Sequence, residues 1–123
     1  MTTFVDSNQF SDRSLFFFTP LFSINKVHIT KGIGSDFEIP ELNELLTRHA
    51  SGDWGTAGKY EEIVEAIDFL EDGNDGKENV LSLMAGEGTI NGYYHLKEKD
   101  VWVITEFLED KQVQTTILLK EEY

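Results

Sequence analysis

Cysteine is absent from the 123 residues, which excludes a disulfide framework and a thiolate zinc site. Positive charge is scarce as well. With 10 Lys+Arg against 23 Asp+Glu the formal charge is -13, which disfavours direct binding to nucleic acid or to an anionic membrane. A basic partner is the natural complement, and the plainer alternative is that the acidity only keeps a small protein in solution. Long apolar runs are missing too. The stretch from Leu15 to Phe22 is short, is interrupted by Pro20, and follows Asp6 and Asp12 rather than a basic region, so it fits neither a signal peptide nor a span of roughly 18 apolar residues. The expectation is a soluble, cytoplasmic protein. No phosphate loop, dinucleotide fingerprint, His-Glu-x-x-His pair or nucleophile elbow occurs, and nothing points to a cofactor.

What is present is enough to fold. Hydrophobic residues at 40% and aromatics at 12% are ordinary for a globule, and the length suits one core. Residues 101–107 and 113–119 are two runs rich in Val, Ile, Thr and aromatics around a polar break of about five residues, the pattern of a hairpin. Alternation sets Val101, Val103, Thr105 and Phe107 on one face and Trp102, Ile104 and Glu106 on the other, so residues 101–107 read as an inner strand. Residues 89–96 supply a third. The expected fold is α+β: a C-terminal antiparallel three-stranded meander with 101–107 in the middle, covered by two or three helices.

Upstream, residues 26–30 alternate briefly as a short strand ended by Gly32 and Gly34. Pro40 marks a helix start, with Leu42, Leu45, Leu46 and His49 following at spacings of three and four. Trp54, in the turn after it, is expected to plug the core edge. A second helix is expected over about 59–71 with the stripe Tyr60, Ile63, Val64, Ile67 and Leu70, and a short third over 79–84. Residues 72–76 resemble part of a calcium loop but lack the ligand spacing and the closing glutamate, so they read as a linker. Six of nine phenylalanines fall in the first 22 residues at no clean period. We therefore divide the chain into an aromatic arm, 1–25, which packs on its own domain or joins two copies as a homodimer, and one α+β domain, 26–123.

Two groups of side chains are candidates for function. Glu61, Glu62, Glu65, Asp68, Glu71 and Asp72 give the second helix a one-signed face that can receive a basic protein surface, the alternative being a merely solvated face. Arg48, His49, Asp53 and Glu106 form a secondary group, which with His95 is the only set from which a dispersed acid-base or anion site could assemble. His28 has no second histidine near it in sequence, and no metal site is expected.

Several pieces in order carry a likeness: Lys26-Val-His-Ile-Thr, Leu46-Thr-Arg-His with Ser51-Gly-Asp-Trp-Gly, Val101-Trp-Val-Ile-Thr-Glu, and Thr115-Thr-Ile-Leu-Leu ending in Lys120-Glu-Glu-Tyr. Over residues 26–123 the chain resembles a group of small bacterial proteins carried on plasmids, phages and other mobile elements. It departs from them at Phe107-Leu-Glu-Asp, where they have Ala-Asp-Arg, at Lys120, where they have proline, and in the acidic helix, which looks like an insertion. The resemblance implies a mobile-element setting. There an acidic single-domain protein is expected to inhibit host defence, as an anti-CRISPR or anti-restriction protein, by binding a basic nucleic-acid-handling partner such as a CRISPR effector. A regulatory module with no nuclease target, or an enzyme with a dispersed site, is the alternative.

Overall fold

The computed structural model describes residues 2–6, 20–24 and 26–123. Strands β1 (Thr2–Asp6) and β2 (Lys26–Thr30) are followed by helices α1 (Lys31–Asp36), α2 (Ile39–Ala50), α3 (Tyr60–Ala66) and α4 (Asp75–Ala85). Strands β3 (Gly88–Leu96), β4 (Lys99–Phe107) and β5 (Val113–Leu119) complete the chain. The α+β class holds, but the three-stranded antiparallel meander does not describe the sheet. The sheet is mixed: β2-β5-β4-β3, with β1 added outside β2. Strand β2 runs parallel to β5, pairing Val27 with Thr115 and Ile29 with Ile117, while β5-β4 and β4-β3 are antiparallel. Strand β4 has neighbours on both sides, yet the centre of the sheet is β5.

Burial explains that position. Thr115, Ile117 and Leu119 face the core, and Leu118, which points to the other face, is also buried. A strand buried on both faces belongs inside a sheet, where every backbone group can pair.

The apolar side chains on one face of β2, β4 and β5 meet the helices. Val27, Ile29, Val101, Val103, Ile117 and Leu119 pack against Ile33, Phe37, Leu42, Leu45 and Leu46. A second cluster joins Phe22, Ala50, Trp54, Ile63, Val80 and Ile90. Two layers result.

Helix α2 is held at its start by a capping box, in which the Glu41 carboxylate accepts from the Glu38 N–H at 3.0 Å. Its buried residues Leu42, Leu45, Leu46 and His49 recur at one face, each apolar side chain contributing about 1.5–3 kcal/mol of transfer free energy.

Three local expectations are corrected. The short strand at 26–30 runs straight into α1 rather than ending at glycines, because Glu122 caps that helix from the far end of the chain. It accepts from the Gly32 N–H at 3.0 Å and from the Thr30 hydroxyl. Residues 72–76 are only partly a linker: Asn74 caps α4 by accepting from the Lys77 N–H at 3.0 Å, and Asp75 already lies in the helix. The helix expected over 59–71 stops at Ala66 and gives way to a 3-10 turn, Ile67–Phe69. Carboxylates spaced three or four apart repel, and those near the C-terminal end oppose the helix dipole, so α3 does not propagate further.

Strand β1 belongs to this same sheet through its pairing with β2. Phe22 is a core residue beside His49 and Phe107. The remaining phenylalanines of the arm, and the homodimer expected of them, lie outside the described residues and side chains.

Candidate functional site

The secondary group separates into a built network and an outlier. At the end of α2, Arg48 Nε donates to Asp53 Oδ2 at 2.9 Å, and the guanidinium lies 4.9 Å from the Tyr94 ring centroid. Burial alone would raise the Asp53 pKa, but the Arg48 contact and the Gly55 N–H, 3.2 Å from Oδ1, outweigh it and hold the carboxylate below its usual range. His49 is completely buried, and that burial depresses its pKa to about 3. The ring is neutral at physiological pH.

The proton positions follow from one fixed acceptor. Tyr94 Oη donates to the carbonyl of Asp53 at 2.7 Å, which uses its only hydrogen. In the 3.2 Å contact between Tyr94 Oη and His49 Nδ1 the histidine must therefore donate. Its bare Nε2 accepts from Thr105 at 2.9 Å, and Thr105 in turn accepts from Thr115 at 2.8 Å. Trp54, also completely buried, donates its indole N–H to the His49 carbonyl at 3.0 Å. The chain of donors ties β5, β4, α2, β3 and the turn after α2 into one unit. With both nitrogens engaged and no surface open to solvent, His49 has no route to a substrate.

Gly92 makes room for this. A Cβ there would lie 2.5 Å from Tyr94 Oη and 2.8 Å from His49 Nδ1. Glu106 takes no part. It alternates with Thr105 on β4 and so faces away from His49, and Arg48 pairs with Asp53 instead. The expectation that Glu106 joins Arg48, His49 and Asp53 is corrected on that geometry. His95 likewise lies apart from them, paired at 3.1 Å with Asp100.

The acidic group is differently placed. Glu61, Glu62 and Glu65 lie exposed on α3, while Asp68, Glu71 and Asp72 lie exposed on the turn that follows rather than on a continued helix face. Within that turn Phe69 is 87% exposed, although Ile67 and Leu70 beside it pack into the core. Lys77 pins the turn, donating to the Leu70 carbonyl at 3.1 Å and to Asp72 at 3.0 Å. A recess of about 430 Å3 opens between Phe69 and Asn74. Met84 on α4 is 76% exposed, and Val64 and Leu81 are partly so. Sequence reasoning set the acids on a helix stripe and missed Phe69, whose signal was its place outside that stripe.

Among the described residues no three potential ligands converge to hold a metal ion, and no helix is long and apolar enough to cross a membrane. No family model, curated protein or solved structure matches this chain.

Proposed function

We propose that the chain is a non-enzymatic interaction protein that binds a basic protein through α3 and the turn after it. The observation that carries this reading is Phe69: a large aromatic, almost fully exposed, bracketed by Asp68, Glu71 and Asp72 on a turn fixed by Lys77. Interfaces commonly combine an aromatic anchor with a charged rim, the anchor supplying affinity and the rim supplying partner choice and encounter rate. The depressed basicity and full engagement of His49 favour binding over acid-base chemistry. In the mobile-element setting that the resemblance implies, the partner is a nucleic-acid-handling effector of host defence. The site of action is then the host cytoplasm, and the chain occupies a basic groove that otherwise takes nucleic acid.

The test pairs Phe69→Ala with the triple reversal Glu61→Lys, Glu65→Lys, Asp68→Lys. Each is carried through a plasmid-interference assay and a pull-down at two salt concentrations from cells with CRISPR and restriction systems. Wild type is expected to protect and to bind more weakly at high salt, and both variants to lose binding while staying folded. Protection by neither wild type nor variants against any system would remove the inhibitor reading, and binding without protection would point to a regulatory module.

A further inference from the structure

A second concave site lies beside the sheet face opposite the one that α1 and α2 cover. There Tyr93 of β3 and Trp102 of β4 are cross-strand partners, with ring centroids 5.2 Å apart and planes at 65°. Tyr123 adds a third ring 4.9 Å from Trp102, inclined at 59°. At these separations the rings touch, so a ligand meets them from the cleft side only, and Tyr123 backs Trp102 from outside the cleft lining. Beside them is a cleft of about 380 Å3, lined by Asp75 from the start of α4, by His95 and Asp100 at the end of the β3-β4 hairpin, and by Lys120. Burial raises the Tyr93 pKa, and the charges of Asp75 and Tyr123 push it the same way, as expected of groups that share one small space.

Aromatic walls offer their negative ring faces to a cation, and nearby carboxylates supply net charge without a rigid hydrogen-bond demand. An anion would meet both carboxylates. We propose that this cleft binds an organic cation, an alkylammonium or guanidinium group, against the cleft side of Tyr93 and Trp102, with Asp75 and Asp100 as counter-charges. Lys120 adds a positive charge to the lining, and His95 lies 3.1 Å from Asp100 there. Neither Phe69 nor the acids of α3 belong to the cleft, so it stands or falls independently of the interaction surface.

Tryptophan emission of the full chain reads the site, because Trp54 is shut away from solvent and Trp102 is not. Choline is titrated at fixed ionic strength beside its uncharged carbon isostere. Choline should give a saturable change, and the isostere should bind about three- to thirtyfold more weakly, the span expected of a cation–π contribution. Tyr93→Leu should weaken choline by a similar factor, and Asp75→Asn, at an exposed residue, should weaken it too. Lys120→Ala should tighten binding. An unsaturable response, equal binding of the isostere, or unchanged affinity in both weakening variants would overturn the site. Displacement of bound choline by an arginine amide would assign the cleft to a partner's side chain, and its failure to displace would assign it to a small quaternary ammonium compound; both outcomes require the site.

Discussion

His49 shows how a residue that looks chemical in sequence can be structural in space. Its ring is buried, neutral and bonded at both nitrogens, so unfolding exposes a group that binds a proton near its ordinary value of 6.5, while the folded ring resists protonation down to about 3. The folded-state pKa is the lower one. Stability is therefore complete above about pH 6.5 and falls as the pH drops through that window, by about 1.4 kcal/mol per pH unit for one proton. Replacing His49→Gln should lower stability at pH 7 yet flatten the slope between pH 6 and 4 by about one proton, measured by urea denaturation across pH. An unchanged slope would mean that the ring is accessible. Trp54→Ala, which removes a buried ring and a donor to the same network, should cost about 3–5 kcal/mol. Gly92→Ala should disrupt the network through a single methyl group, since neither Tyr94 nor His49 can retreat from the core.

At the scale of elements, local pattern was legible and long-range pairing was not. Strands β3, β4 and β5 follow from alternation and β-branched content, and α2 from Pro40 and its apolar spacing, because those signals lie within a few residues of each other. The parallel pairing of β2 with β5 joins residues far apart in the chain, and only the unbroken run Ile117-Leu118-Leu119 hinted that β5 is buried on both faces. The network around His49 was half visible. Arg48, His49 and Asp53 lie within one turn, but Tyr94, Thr105 and Thr115 come from three strands and give that turn its meaning. Helix α1 is the clearest case of tertiary control. Lys31-Gly-Ile-Gly-Ser-Asp is a poor helix former, and Glu122 closes its open end while also accepting from the Leu119 N–H at 3.0 Å. Burial acts to raise the Glu122 pKa, but hydrogen bonds from Thr30, Gly32 and Leu119 outweigh it and lower the value from 4.5. Its contribution is thus present at neutral pH and lost as the pH falls below that value. Glu122→Gln should reduce the melting temperature at pH 7, and the gap to wild type should close on acidification below pH 4.5; a gap independent of pH would show that charge is not what caps α1.

For the molecule as a whole, a formal charge of -13 on 123 residues is a standing electrostatic load, since like charges repel most strongly in the compact state. The load is concentrated where the backbone can least use it. Glu65 and Asp68 lie at the C-terminal end of α3 and just beyond it, where a negative charge opposes the helix dipole, and Glu61 and Glu65 repel across one turn. Nothing in the fold requires either carboxylate: both are exposed, and no ion pair holds either one among the described residues. Reversing both, Glu65→Lys and Asp68→Lys, takes the formal charge from -13 to -9, two units for each residue, and turns a repulsion across one turn into an attraction. We expect the double variant to melt higher than wild type at low salt. The difference should shrink as salt screens surface charge, because the Debye length falls from about 30 Å at 0.01 M to about 10 Å at 0.1 M. Differential scanning calorimetry at those two ionic strengths measures it. A more stable protein that has lost its partner would mean that these carboxylates are kept for binding at the expense of the fold. A variant that melts lower at both salt concentrations would instead make the acids part of the structure and remove the physical ground for assigning them to a partner.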